Sequence, residues 1–309
     1  MEANYGYCCI NLTLGEKRGI KVGRKMIKRT FQAKGAKYAG ELAEANLRDM
    51  IEIIKWNHQQ GITLYRMSSS MFPWMSEYEL TDLPNWQTIQ NLLKGAGALA
   101  KKYNQRLTFH PGPFNVLASP SEKNVAKAVR ELDQHAFIMD VMGLPQSPHA
   151  AINIHVGGTY EDKEATKHRF AENFKRLAPS TQARLVLEND DKTAQYSVQD
   201  LYDIHLLTGK TPVTFDYHHH WCYEDPMPEE EALKLAAKTW PTGVRQLCHY
   251  SSCKQIYEDA SQGNKRAHAD YVYDEIKTYG MPLDIELEAK AKELALVKYQ
   301  QQYLEPILS

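Results

Sequence analysis

Short apolar runs that alternate with amphipathic stretches, eight times over and without a break, are what most narrows the fold of this chain. The runs fall at residues 5–14 (ending near Asn11), 62–67, 106–109, 151–154, 184–187, 212–216, 244–248 and 283–287. Between them the spacing turns helical. Leu42, Leu47, Ile51 and Ile54 share a face over 41–60, ahead of Gly61. Ile89, Leu92, Leu93, Ala96 and Leu99 do the same over 85–103. Ser119-Pro120-Ser121-Glu122 reads as a capping box opening a helix to about 142, closed by Gly143. Further helices are predicted over 163–177, from Ser197 to 208, over 228–240 and over 266–279, and an Ala/Leu/Lys-rich helix follows the last strand. Strand-then-helix repeated in this way predicts an α/β chain folded as a single (β/α)8 TIM barrel over residues 1–309. The alternative, an open doubly wound sheet, usually places a GxGxxG turn after its first strand, and the sequence has none.

A barrel of this kind presents the carboxyl ends of its strands on one face. The residues at those ends are not the types that packing would choose. The sixth run, Pro212-Val213-Thr214-Phe215, passes into Asp216-Tyr217-His218-His219-His220. The full set is Asn11, Ser68 to Ser70, His110, His155, Glu188, Asp216 with His219, His249 and Glu288, with His268 at the start of the predicted 266–279 helix. Any one of them alone reads as a satisfied structural histidine or a capping carboxylate. Gathered on one rim, they read as a metal site. Mixed imidazole and carboxylate donors without thiolates suit zinc, manganese or iron(II). Five histidines and three carboxylates exceed what one ion needs, so two or three ions are expected with a bridging carboxylate, for which Glu188 and Asp216 on neighbouring strands are the candidates. Such a cluster lowers the pKa of a bound water and clamps both oxygens of an in-line phosphoryl displacement.

Charge agrees with a phosphate substrate locally rather than globally. The net charge is -1, unlike a typical nucleic-acid binder. Yet Lys17, Arg18, Lys21, Arg24, Lys25, Lys28, Arg29, Lys34 and Lys37 crowd a stretch with no acid among them. A basic loop over about 15–40 is therefore expected to attract phosphates; the plainer reading is a solvated surface loop. No apolar run approaches the length of a membrane span, and no signal peptide is evident at Met1-Glu2-Ala3-Asn4, so a cytoplasmic protein without membrane contact is expected. Cys8, Cys9, Cys222, Cys248 and Cys253 lack CxxC spacing and are expected to be free thiols.

Read together, the strand-end residues resemble the UV damage endonucleases, a family related in barrel and site to endonuclease IV. The resemblance is carried by Gly6-Tyr7 with Asn11; Tyr65-Arg66-Met67-Ser68-Ser69; His110-Pro111-Gly112; Asn153-Ile154-His155-Val156-Gly157-Gly158; Leu187-Glu188-Asn189-Asp190; Asp216-Tyr217-His218-His219; His249-Tyr250-Ser251; Ala267-His268-Ala269-Asp270; and Glu288-Ala289-Lys290. It implies a metal-dependent nuclease that nicks damaged double-stranded DNA 5′ to a lesion with three divalent ions; apart from the resemblance, a nuclease of this size can work as a monomer, which is the expected state. The ions it implies are manganese first, with zinc, cobalt or magnesium as alternatives. By motif the ligands are His110, His155, Glu188, Asp216, His219, His249, His268 and Glu288. Tyr7 and Asn11 match positions used around the damaged nucleotides, where an aromatic fills the gap left by flipped bases.

Three positions depart from the family pattern. Pro113-Phe114 stands where a Gln-Tyr pair usually probes the lesion, which leaves the wedge to Phe114. Glu77 aligns near a position that tends to be histidine, and Leu247 stands where a modified lysine is often found. None removes an expected ligand. Glu188 is the expected catalytic centre, and the general acid lies among Glu77, Tyr7 and a metal-bound water. Lesion and phosphate contacts are expected from Tyr7, Asn11, Arg18, Lys21, Arg24, Lys25, Pro113 and Phe114. Two other readings stand beside the nuclease: a metal-dependent sugar isomerase or epimerase of the xylose isomerase kind, by analogy of fold, and a damage-binding protein that has lost catalysis.

Overall fold

The computed structural model describes residues 3–304. Its strands close into a parallel barrel in chain order. They are β1 (Asn4–Cys8), β2 (Leu64–Met67), β3 (Arg106–Phe109), β4 (Ile152–Ile154), β5 (Leu185–Glu188), β6 (Val213–Asp216), β7 (Gln246–Tyr250) and β8 (Leu283–Leu287). Each strand is buried on both faces, inward by the lumen and outward by helices, as a parallel sheet requires. The (β/α)8 TIM barrel predicted from the alternation is the fold of this chain.

The lumen is stratified. Arg106 on β3 reaches across the barrel to Asp284 on β8, with Nη1 2.7 Å from Oδ2, and its other nitrogens donate to the carbonyls of His149 and Pro148. A small apolar cluster of Leu64, Ala151, Val186, Trp240 and Leu247 fills the lumen near it. Leu247 is thus a packing residue. Towards the carboxyl ends the lumen turns polar, with Arg66, Thr108, Asn153, Glu188, Asp216, His249 and Glu286 all buried. Gly6 permits the β1–β2 contact: a Cβ there would lie 2.3 Å from the Leu64 carbonyl oxygen.

Around the strands lie α1 (Leu12–Arg18), α2 (Lys28–Gln59), α3 (Trp86–Lys102), α4 (Glu122–Met142), α5 (Lys163–Phe174), α6 (Pro179–Arg184), α7 (Val198–Thr208), α8 (Tyr217–Tyr223), α9 (Glu229–Ala237), α10 (Lys254–Tyr257) and α11 (Glu293–Tyr299). No helix among the described residues is long and apolar enough to cross a membrane. The cysteines are free thiols, as expected. The predicted helices over 85–103, 163–177, 197–208 and 228–240 correspond to α3, α5, α7 and α9.

Several local expectations are corrected. The first strand stops at Cys8, and Asn11 is not its end but the cap of α1, its Oδ1 accepting from the Leu14 amide at 2.8 Å. The basic stretch 15–40 is largely helical: it holds the end of α1 and the start of α2, which breaks at Gly35 (φ 65°, ψ −164°). Ser121 caps α4 without a side-chain hydrogen bond, so the anticipated capping box does not form there; one does form at Ser197 and Asp200. Residues 217–223, unassigned by periodicity, wind into α8 because Asp216 accepts from the His219 amide at 2.7 Å.

The predicted helix over 266–279 is absent. His268 makes an antiparallel bridge with Cys253, and the backbone donors of this stretch go elsewhere. The amide of Ala269 reaches the Ser252 carbonyl at 2.9 Å, and that of Asp270 reaches the Glu258 carboxylate at 2.7 Å. Tertiary partners outside the segment satisfy groups that helix formation would otherwise pair.

Gly97 lets α3 rest on the end of α4: a Cβ at this position would fall 1.7 Å from the Met142 carbonyl oxygen. Replacing Gly97 with Ala is therefore expected to destabilise the barrel by about 1–3 kcal/mol through overpacking. Urea unfolding checks this; an unchanged midpoint would mean that the two helices part without cost.

Candidate metal centre

Glu188 ends β5 with 0% exposure, and imidazoles from four other strand ends surround it. Its Oε2 lies 2.8 Å from His110 Nε2, just past β3, and 3.7 Å from His155 Nε2, just past β4. Its Oε1 lies 3.1 Å from His249 Nδ1 on β7 and 3.3 Å from His219 Nδ1 on α8. Asn153 donates to Oε2 from β4. Glu288, just past β8, stands 3.5 Å from His249 Nδ1 and pairs with the Arg66 guanidinium.

Two groups of ligand atoms result, each with members within 4.8 Å of one another: His110, Glu188, His249 and Glu288; and His155, Glu188 and His219. Glu188 belongs to both, as expected of a bridging carboxylate. Asp216, the other candidate for that role, belongs to neither. It is committed to capping α8, and its Oδ2 stands 3.9 Å from His219 Nδ1. His268 also lies outside both groups, with Nδ1 3.6 Å from Glu288 Oε2.

Each of these histidines has one ring nitrogen facing an acceptor away from its neighbours. Nδ1 of His110 faces the Pro111 carbonyl at 3.2 Å, that of His219 the Asn189 carbonyl at 2.9 Å, and that of His268 the Glu288 carbonyl at 3.0 Å. Nδ1 of His155 faces Asp190 Oδ1 at 3.0 Å, and Nε2 of His249 faces Glu286 Oε2 at 3.1 Å. Acceptors behind an imidazole select its tautomer and aim the other nitrogen, as around bound metals. The rim is braced as well: the Asn189 side chain donates to the Asp216 carbonyl at 3.0 Å and accepts from its amide at 2.8 Å, tying β5 to β6.

The electrostatics suit a cation. Burial pushes Glu188 upward, but His249, His155 and His110 outweigh it and hold the carboxyl well below its usual range. Burial raises Asp216 to about 6, with Glu188 and Glu288 adding to the rise. Burial lowers His155, yet Glu188 and Asp190 carry it up to about 9. Glu188 Oε1, Asp216 Oδ2, His155 Nδ1, both ring nitrogens of His249 and Glu286 Oε2 are buried, and no well-aligned hydrogen-bond partner meets them among the described residues. Such atoms are costly unless something else pairs with them. A divalent ion would do so, and the donor set fits one.

The remaining expected site residues are placed differently. Tyr7 is 0% exposed, donates to Asn57 Oδ1 at 2.8 Å and accepts from Asn11 Nδ2 at 3.0 Å, and burial pushes its phenol far up. It is a brace beneath the β1–α1 turn, neither a surface for flipped bases nor an open proton donor; Asn11 is buried with it. Lys25, Glu77, Pro113 and Phe114 line one cleft of about 580 Å³ between the loops after β2 and β3, and Phe114 is 88% exposed. Glu77 lies 3.1 Å from Lys127 in the cleft wall and in neither ligand group. The basic stretch is partly neutralised by acids on the facing side of α2: Arg18 pairs with Glu52 and Arg24 with Asp49, each at 2.7 Å, and the Lys21 amide donates to Asp49.

Sequence reading missed Glu286, Asp190 and Arg66 as parts of this centre. For Glu286 a signal existed: Asp284, Glu286 and Glu288 alternate with Leu283, Ile285 and Leu287, which points all three acids to one face of β8.

Fold and site together define a parallel barrel whose rim carries histidine–carboxylate groups able to hold metal ions. The profile of the UV-endonuclease UvdE family matches residues 3–307. The chain belongs to that family. It is 36% identical to the UV-damage endonuclease of Schizosaccharomyces pombe over 96% of this chain and 50% of that one. It is 34% identical to that of Neurospora crassa over 88% of this chain and 42% of that one. The chain thus spans half or less of these two relatives, although a Bacillus cereus UV DNA damage endonuclease, 34% identical, is covered over 81% of its length. The crystal structure of SacUVDE superposes with a TM-score of 0.83 at 28% identity, covering 97% of this chain and 98% of that one. Endonuclease IV from Thermus thermophilus, with a TM-score of 0.55 at 11% identity over 96% of this chain and 98% of that one, shares the fold.

Adding manganese to chelator-treated protein is expected to stabilise it by about 2.7 kcal/mol at 100 times the dissociation constant, and Glu188→Ala is expected to abolish the gain. Calorimetric unfolding with and without the ion measures both. No shift with any divalent ion would remove the metal reading.

Proposed function

We propose that this chain is a divalent-metal-dependent endodeoxyribonuclease that nicks duplex DNA 5′ to UV photoproducts or related lesions. The observation that carries the proposal is the pair of ligand groups sharing buried Glu188 on the rim of a UvdE-family barrel. The ions, two or three in number and manganese first, would be held by His110, His155, Glu188, His219, His249 and Glu288, with Asp216 and His268 completing the set on modest side-chain movement. When bound they supply an activated water and stabilise charge on the phosphoryl oxygens.

The chain's own residues divide the remaining work. Glu188 stays ionised and bridges the groups. Arg66, paired with Glu288 and 3.7 Å from Glu286, keeps the excess of buried carboxylates balanced. Exposed Phe114 offers an apolar face that can stack where bases are displaced, and Pro113 beside it adds rigidity but no hydrogen bond. Lys25 brings a positive charge to the same cleft, where Lys127 is paired with Glu77. The substrate is damaged double-stranded DNA, the working unit is a monomer, and the setting is the cytoplasm. An open cleft with a projecting Phe114 fits a polymer better than the closed pocket a sugar isomerase would need, and the complete ligand groups speak against a protein that only binds damage.

Glu188→Gln is expected to reduce nicking of irradiated plasmid to background while leaving lesion binding nearly intact. Phe114→Ala is expected to weaken binding to a lesion-bearing duplex by about 1–3 kcal/mol, and Lys25→Ala to lower the slope of log K against log salt by about 0.9. Gel nicking assays and fluorescence anisotropy read these out. An unchanged lesion duplex after incubation of wild-type protein with manganese would sink the proposal.

A further inference from the structure

Glu286 lies inside the barrel at 0% exposure, next to the last residue of β8 and in neither ligand group. The strand pairing sets it directly beside His249. Its Oε2 is 3.1 Å from His249 Nε2, and its Oε1 accepts from the Thr108 hydroxyl of β3 across the lumen. Arg66 approaches it only to 3.7 Å, its close partner being Glu288. The opposite nitrogen of His249, Nδ1, faces Glu188 at 3.1 Å and Glu288 at 3.5 Å. A carboxylate buried for stability alone gains little, since apolar replacements of buried ionic groups are often neutral or better. A carboxylate behind an imidazole fixes the tautomer, makes the other nitrogen a stronger donor and orients the ring.

We propose that Glu286 is a positioning residue for the metal centre: seated by Thr108, its carboxylate stands 3.1 Å behind Nε2 of His249, favours the tautomer that carries the proton there, and so leaves Nδ1 for the ion shared with His110, Glu188 and Glu288. This inference rests on the reading that the rim holds divalent ions. It differs from that reading in being selective. His155 has its own carboxylate, Asp190, so loss of Glu286 acts on one of the two groups and not on the other.

The test titrates metal-free full chain with cobalt(II), following visible absorption and heat, for wild type, Glu286→Gln and Thr108→Val. Glu286→Gln keeps the side-chain shape and removes the charge behind His249. Its expected effect is a loss of about 10–100-fold in affinity for one ion, with an altered cobalt absorption envelope and wild-type affinity for the other. Thr108→Val is expected to shift the same ion in the same direction by a smaller factor, and it serves alone if the Gln variant does not fold. A purely structural role would lower the unfolding temperature of the metal-free protein while leaving cobalt affinity and spectrum as in wild type, and that result in either folded variant overturns the inference. Absence of cobalt uptake by wild type would instead overturn the metal reading itself.

Discussion

The structure depends on one buried negative charge. A carboxylate withdrawn from water is unfavourable by several kcal/mol unless something restores its solvation. Around Glu188 that restoration comes from His110, His155, His219 and His249, none of which is its neighbour in sequence. Only ring closure can bring the ends of β3, β4, β6 and β7 within reach of one carboxylate on β5. Barrel and centre are therefore a single problem in physical terms: the charge is tolerable because the strands close, and the upper lumen that closure leaves is filled by polar groups that answer one another, Asn153 to Glu188 and Thr108 to Glu286 among them.

How much of this could be read from the chain follows from the range of each signal. Strand ends were legible because a short continuous apolar run and its abrupt change to ligand-type residues are local, as at Phe215-Asp216. Residues 266–279 misled because their helical pattern is local whereas the groups that unwind them, Ser252 and Glu258, lie across a loop. Tyr7 misled for a related reason. Its position was matched by motif, yet its direction is set by Asn57, fifty residues away on α2. The neutralisation of Arg18 and Arg24 was hidden likewise, since Glu52 and Asp49 meet them only after α2 folds back. Glu286 was legible in the alternation of β8 but lies one pair of residues below the rim, where a strand-end reading does not look.

The cleft and the centre are linked by a very short stretch of chain. His110 faces Glu188, and Phe114, four residues on, stands at the edge of the cleft with nearly its whole side chain in solvent. Asn115 secures the turn between them, donating to the Gly112 carbonyl at 3.0 Å and to Glu131 of α4 at 3.0 Å.

The paired hydrogen bonds from the Asn189 amide to Asp216 have a further meaning. They continue the β5–β6 ladder by one rung after the backbone itself has ceased to pair, with a side chain standing in for a strand. The gap between the two strand tips is consequently set by the chain and not by a guest. The distance from Glu188 at one tip to the first turn of α8, which carries His219, is therefore held by protein groups alone.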